Sequence, residues 1–282
     1  MIYKTVKYIS SAGNEYTLNT DGIYRLKTAN FHRWAWVPNG TNLQFGQRLA
    51  NFSRAAAQYD CKLVFMRASA RERAAYIDQL HTDFERDLRN MTPGRIDWGG
   101  WTLDCFIVDS STYPDPNGIW TDNDIQIYAP NPFWTYEESR IFQIRQAPGT
   151  VSEFLDYDYD YDYDYTYDAS GSSSWVRTFP FPSDFLLTIY GPVSNPRVII
   201  NGHPYQINTT VEEGARLEVS SRDYTVTLIS GAGVRTNLFD LRDKTASVFQ
   251  KIPGGTLTVG WSGEFMFELT LYQERSEPAW TV

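Results

Sequence analysis

The side chains that most often carry out chemistry in proteins are few and scattered in this sequence. The three histidines, His32, His81 and His203, lie far apart, and none has a zinc-type spacing to a cysteine or to a second histidine. Cys61 and Cys105 each lie in a strand-like hydrophobic run, which predicts reduced core residues and not a disulfide. We therefore interpret the histidines as surface or helix-face residues and predict no metal site and no cofactor.

Motifs of common catalytic sites are also missing from the sequence. It has no Gly-x-Ser-x-Gly elbow, no phosphate-binding loop and no dinucleotide-binding fingerprint, and Gly231-Ala232-Gly233 fits a hairpin turn. A carboxylate pair for glycoside hydrolysis stays open, because its two members can lie far apart along the chain. We predict no catalytic residue and no enzyme, and a glycan hydrolase is the least favoured function.

An acidic low-complexity tract occupies residues 156–168, where Asp and Tyr alternate except that Thr166 replaces one Asp. One interpretation is a solvated loop kept open by charge repulsion, and another is an edge strand with an aromatic face for a partner. Calcium binding is a third, but the tract lacks the Gly turn of an EF-hand loop. The solvated loop is favoured, within an insertion at about residues 153–175.

The overall composition bounds the class of protein. Of the 282 residues, 42% are hydrophobic and 16% aromatic, which indicates a β-rich protein with large packing and contact surfaces. A formal net charge of -9 and a pI of about 4.9 disfavour binding to nucleic acid. No signal-like start and no run of the roughly 20 apolar residues of a membrane span occurs, so we expect a soluble protein made in a cytoplasm.

One amphipathic helix is predicted over residues 70–89. Ser69 and Glu72 form a capping-box pattern, and Pro93-Gly94 ends the helical stretch. Apolar residues recur at three- and four-residue spacing, and they are Ile77, Leu80, Phe84 and Leu88. The charged residues are expected on a solvated face, and they are Arg71, Arg73, Asp78 and Glu85.

Short strands are predicted on both sides of this helix. Before it lie strands at 23–26, 42–45 and 61–66, with residues 27–40 as a long connection that contains a Pro38-Asn39-Gly40 turn signal. After it, residues 101–108 and 125–128 are expected to form strands. The last half predicts a β-sandwich, with strands at 185–190, 197–200, 205–208, 216–219, 224–229, 256–261 and 265–272 and an Asn201-Gly202 hairpin turn.

Three stretches carry a resemblance to a known family. Residues 125–134 read Ile-Gln-Ile-Tyr-Ala-Pro-Asn-Pro-Phe-Trp, which resembles the strand and Pro-x-Pro-aromatic junction of siphophage distal tail proteins, often called Dit. Residues 198–202, 213–219 and 224–228 form the second stretch, and residues 237–240 and 249–259 form the third. The Tyr and Asp tract departs from what we expect of that family.

This resemblance implies a virion structural protein of a phage tail tip or baseplate. Residues 1–132 would form an N-terminal belt domain that closes a homohexamer ring at the end of the tail tube. Residues 133–282 would form a galectin-like β-sandwich that projects from the ring. The implied partners are the tail tube protein, the tail-tip hub protein and receptor-binding proteins for host attachment, with assembly in the host bacterial cytoplasm and no nucleic acid or membrane partner.

A carbohydrate-binding module is the alternative function. Asn195-Pro196-Arg197 resembles part of the galectin sugar motif, but Val193 stands where that motif has a histidine. Residues 261–264, Trp-Ser-Gly-Glu, lie far downstream in the sequence and are not expected to complete it. We therefore expect the sandwich to be a spacer or a docking platform.

Overall fold

The computed structural model describes residues 5–18, 23–66, 69–114, 118–145 and 172–280. The chain forms two compact units: unit 1 is Met1–Tyr136 with Glu274–Val282, and unit 2 is Glu137–Gln273. The sequence-based boundary placed all of residues 133–282 in one domain, whereas the structure assigns the last stretch to unit 1. No helix in the described part of the chain is long and apolar enough to span a membrane.

Unit 1 is mainly antiparallel β-structure with a single described α-helix. Its elements are β1 (Val6–Ile9), β2 (Glu15–Thr17), β3 (Tyr24–Ala29), β4 (Val37–Asn42), β5 (Gln47–Ser53), β6 (Ala57–Phe65), α1 (Ala70–Asn90), β7 (Gly94–Trp98), β8 (Trp101–Pro114), β9 (Thr121–Ala129) and the first part of β10 (Trp134–Phe142). The strands at 61–66, 101–108 and 125–128 are confirmed, as part of β6, β8 and β9.

A long strand, β8, belongs to two sets of paired strands in unit 1. Its first part pairs with β7 in the order β2-β1-β7-β8-β10, and its second part pairs with β9 in the order β8-β9-β6-β3. The register shifts between Ile107 and Asp109, as expected where a bulge bends a strand. Alternate residues of β8, including Leu103 and Cys105, enter one hydrophobic core.

The predicted helix is confirmed as α1. Ser69 and Glu72 make both hydrogen bonds of the capping box, and Met91 ends the helix in the left-handed conformation, with φ of 51°. The predicted apolar face was wrong in part, because Leu88 is exposed while Asp83 and Asp87 are buried. Arg73 was expected in solvent and is buried, where it donates a hydrogen bond to the Gly118 carbonyl.

The stretch between β3 and β6 differs from its sequence-based prediction. Residues 42–45 are not a strand: β4 ends at Asn42, and the following residues form the turn into β5. The expected connection over 27–40 was also wrong, since β3 and β4 occupy its two ends and Pro38-Asn39-Gly40 lies inside β4. This hairpin tolerates Pro38 because the outer edge of β4 pairs with no other described strand.

Unit 2 contains two sheets whose inner faces share one core. Its elements are β11 (Ser172–Trp175), β12 (Asp184–Tyr190), β13 (Val193–Ser194), β14 (Arg197–Ile200), β15 (His203–Gln206), β16 (Thr210–Val211), β17 (Arg216–Ser220), β18 (Thr225–Ile229), β19 (Arg235–Asn237), a 3-10 helix (Phe239–Leu241), β20 (Leu257–Trp261) and β21 (Phe267–Arg275). One sheet has the order β19-β18-β17-β12-β21-β10, and the other has β11-β20-β14-β15.

Alternating burial confirms the predicted strands of unit 2. Along the last strand Phe267, Leu269 and Leu271 are all buried, and Phe265 is buried in the bend before it, so the strand predicted at 265–272 begins at Phe267. The Asn201-Gly202 turn has positive φ at both residues, 49° and 82°, and joins β14 to β15. The predicted strand at 205–208 lies earlier, at β15. The Tyr and Asp tract lies outside the described residues, but the end of the predicted insertion, residues 172–175, is strand β11.

Candidate functional site

Neither the histidines nor the cysteines form a site. His32 stacks on Trp280 with ring centroids 3.7 Å apart, Nε2 of His81 lies 3.0 Å from the Ser110 hydroxyl, and Nε2 of His203 lies 2.8 Å from the Ser247 carbonyl. Both cysteines are buried and free, which confirms their predicted place in the core. Within the described ranges, no three His, Cys, Asp or Glu side chains come together as metal ligands.

The most unusual surface of unit 1 is the hairpin formed by β4 and β5. Its strands pair only with each other in the described structure, and nearly every residue on both faces is exposed. Phe45 in the turn is 87% exposed. The large apolar side chains that form this hairpin surface are Trp34, Val37, Leu43, Phe45, Leu49 and Phe52. A two-stranded hairpin has little stability in water without a packing partner, so this surface is suited to docking.

Contacts at its base fix the hairpin to the rest of unit 1. Nε1 of Trp36 donates to the Ser276 hydroxyl at 3.2 Å, and the Arg54 guanidinium donates to the Ser276 carbonyl at 3.1 Å. The Phe133 ring lies close to both side chains, with its centroid 5.8 Å from that of Trp36 and 5.3 Å from the Arg54 guanidinium carbon. The Pro-x-Pro-aromatic junction singled out in the sequence therefore supplies the ring on which the hairpin base rests.

Two internal features define the shape of the hairpin. Nδ2 of Asn39 donates across the strands to Oδ1 of Asn51 at 3.0 Å and to the Ser53 hydroxyl at 2.8 Å. The register then shifts between Asn39 and Gly40, where a Cβ on Gly40 would lie 2.2 Å from the Arg48 carbonyl oxygen. Only glycine permits that close approach of the two strands.

The charge of this region is opposite to that of the rest of the chain. Residues 27–58 contain Lys27, Arg33, Arg48 and Arg54 and no Asp or Glu. With +4 here and -9 in total, the remaining residues carry a formal charge of -13. An apolar and weakly basic hairpin therefore suits an acidic protein partner.

Unit 2 has a cleft of about 500 Å³ on its second sheet. Asn195-Pro196-Arg197 line it together with residues 261, 262 and 264. The expectation that their sequence separation keeps these segments apart was wrong, because β14 pairs with β20 and sets Val198 opposite Trp261. Strand pairing, which the motif alone did not reveal, brings them to one place.

The buried carboxylates of α1, Asp83 and Asp87, accept hydrogen bonds from neighbouring side chains of unit 1. Asp83 accepts from the hydroxyl of Tyr16 and from Nδ2 of Asn14 at 2.9 Å, and it pairs with Arg86. Burial raises the pKa of Tyr16, and the hydrogen bond to Asp83 raises it further. This arrangement favours the protonated form of Tyr16 and gives the Asp83 carboxylate a structural role between β2 and the helix.

No family model matches the chain, and no curated protein matches it. Solved structures do match, over nearly the whole chain. A chain of the phage P2 baseplate in its activated conformation with Ca matches with a TM-score of 0.62 and 14% identity, covering 99% of this chain and 100% of that one. In the same baseplate with Sr, a chain matches with a TM-score of 0.61 and 16% identity, covering 98% and 99%.

A protein from a second phage gives the same result. The Dit protein of phage SPP1, described as a paradigm of the hub adsorption apparatus in phages that infect Gram-positive bacteria, matches with a TM-score of 0.62 and 9% identity. The match covers 96% of this chain and 99% of that protein. The chain therefore has the fold of phage distal tail and baseplate proteins, as the sequence resemblance predicted.

Proposed function

We propose that this protein is a structural subunit of a phage tail tip, a distal tail protein that closes into a homohexamer ring. The shared fold with the SPP1 and P2 proteins supports this function. The single observation that carries the ring proposal is the hairpin surface of β4 and β5, an exposed apolar structure that its own unit does not cover.

The occupant of the hairpin surface in this proposal is a second copy of the same chain. An acidic partner complements the weakly basic hairpin, and the rest of this chain, at -13, is such a partner. A hairpin that docks onto a different surface of the next copy makes a head-to-tail interface, and such interfaces close into rings when the rotation allows it. Each subunit then gives one hairpin and receives another.

In the assembled tail this ring joins the tail tube protein to the tail-tip hub, with receptor-binding proteins as further partners. Unit 1 corresponds to the belt and unit 2 to the galectin-like sandwich of the family. The role is structural, and the protein reaches its place in the virion after synthesis in the host cytoplasm. No observation favours the glycan hydrolase alternative.

Substitution of exposed side chains tests the ring directly. Leu43→Ser, Phe45→Ser and Leu49→Ser together remove apolar area that the isolated subunit does not bury, so the subunit folds as before and the ring is lost. The matched control changes three equally exposed apolar residues of unit 2, Val176→Ser, Phe181→Ser and Val234→Ser. Native mass spectrometry is expected to show a ring for the control and monomers for the hairpin variant; rings from both would contradict the assigned interface.

A crosslinking experiment identifies the occupant. A photoreactive benzoylphenylalanine at position 45 is expected to crosslink to a second copy of the chain, and the same residue at position 181 is not. Peptide mapping then locates the receiving surface. Absence of crosslinks from position 45 at ring-forming concentration would exclude the hairpin from the interface.

A further inference from the structure

The floor of the cleft of unit 2 is open because a glycine, Gly260, occupies it. Ile199 of β14 lies directly opposite Gly260 of β20, and both point away from the core because Val198 and Val259 point into it. A Cβ built on Gly260 meets no atom within 4 Å. The outer face of the sheet is therefore hollow at this point, and its floor is apolar.

Polar side chains line the cleft around Ile199 and Gly260. Asn195 and Arg197 come from the start of β14, and Ser262 and Glu264 come from the turn after β20. The side chains of Asn195, Arg197 and Glu264 are exposed and make no hydrogen bond to another described residue. Their donors and acceptors are available to a ligand, with one positive and one negative charge among them.

The backbone holds both walls in place. Asn195 adopts a left-handed conformation, with φ of 49°, and its N–H donates to the Thr209 carbonyl at 2.7 Å. On the other wall, the N–H of Arg145 donates to the Gly263 carbonyl at 2.9 Å, and its guanidinium carbon lies 4.4 Å from the Trp261 ring centroid. The cleft is thus formed before a ligand enters it, as small-molecule sites usually are.

We propose that this cleft binds a neutral saccharide of one or two hexopyranose rings. The volume of about 500 Å³ lies in the range of about 300–1,000 Å³ that is usual for small-molecule sites. A wholly apolar ligand would desolvate Arg197 and Glu264 without pairing them, and a polyanion would meet Glu264. Sugar hydroxyls donate to a carboxylate and accept from a guanidinium, while the C–H face of the ring covers Ile199 and Gly260.

Saturation-transfer NMR tests this proposal. The full chain is titrated with lactose, maltose, cellobiose and chitobiose at millimolar concentration. At least one disaccharide is expected to bind. Gly260→Ile places a side chain on the open floor, where its Cβ meets no atom within 4 Å, and should weaken binding at least about 10-fold. Glu264→Gln, a change at an exposed residue, should also weaken binding. Thr225→Ile adds the same side chain to an exposed residue of β18, in the other sheet and outside the cleft lining, and should leave binding unchanged.

Two results would overturn the proposal: no binding of any of the four disaccharides, or binding that Gly260→Ile and Glu264→Gln both leave intact. Circular dichroism verifies that each variant is folded, and Glu264→Gln preserves the test if Gly260→Ile does not fold. The ring does not depend on this cleft. Native mass spectrometry of Gly260→Ile therefore distinguishes a failure of sugar binding from a failure of assembly.

Discussion

Tyr8 donates a hydrogen bond to the carboxylate of Asp87, 79 positions further along the chain, inside unit 1. The same carboxylate accepts from the backbone N–H of Ser11 at 3.1 Å and from its hydroxyl at 2.6 Å. The Tyr8 ring also packs edge-on against Phe84, with centroids 5.1 Å apart. A buried acid on α1 therefore fixes β1 and the turn after it to the helix.

Asp87→Asn is expected to destabilise the protein by about 2–3 kcal/mol, because the amide loses the charge that strengthens these hydrogen bonds and leaves a buried donor unmatched. Urea denaturation followed by circular dichroism measures the change. Glu85→Gln is the control on the same helix, where an exposed pair with Arg89 at 2.8 Å should contribute about 0.5 kcal/mol or less. A loss for Asp87→Asn as small as that expected for the control would show that the buried network adds no stability.

Alkaline pH is expected to destabilise unit 1. Burial raises the pKa of Tyr24 to about 12, and burial together with the bond to Asp87 raises the pKa of Tyr8. An unfolded chain has a tyrosine pKa of about 10, so folding favours the protonated phenol. The stabilisation is complete below pH 10 and is lost as the pH rises through the folded pKa values.

Thermal unfolding between pH 9 and pH 12 tests this dependence, with tyrosine ionisation followed at 295 nm. The unfolding temperature should decrease above pH 10. Tyr24→Phe removes an ionisable hydroxyl for which no hydrogen bond to a described residue is found. In this variant the unfolding temperature should decrease less steeply with pH. An unchanged slope in Tyr24→Phe would contradict the assignment.

The two thiols should be unreactive in the folded protein. Burial raises the pKa of Cys61 to about 12 and also raises the pKa of Cys105, so the thiolate is scarce at pH 8. Ellman's reagent is expected to modify neither thiol in the native protein and both in guanidinium chloride. Rapid modification of either thiol without denaturant would place that residue outside the core.

Gly40→Val should damage assembly more than stability. Its Cβ would collide with the Arg48 carbonyl oxygen and force the hairpin strands apart, but no residue of β4 or β5 belongs to the core of unit 1 as far as the structure describes it. The unfolding temperature should change little while the ring is lost. Thr41→Ala, an exposed neighbour on β4, should retain the ring. Loss of unit 1 folding in Gly40→Val would show instead that the core needs the hairpin.

Local patterns in the sequence predicted a large part of this fold. The capping box at Ser69 and the Asn201-Gly202 turn depend on neighbouring residues, so they can be read directly. The buried face of α1 could not be predicted, because Asp87 is buried only by its partner Tyr8, far away in sequence. The hairpin surface was missed because Pro38-Asn39-Gly40 indicated a turn, whereas these residues lie inside β4 and pair with β5. The cleft was missed because register between β14 and β20 is a tertiary property.

The mass of the purified protein, measured by light scattering, is the most direct test of whether this chain forms a ring. Six copies of 32.4 kDa form a ring of about 194 kDa, and the wild-type chain is expected to give that species and electron micrographs with six-fold rings. A mass of 32.4 kDa at every concentration would contradict a ring that this chain closes by itself.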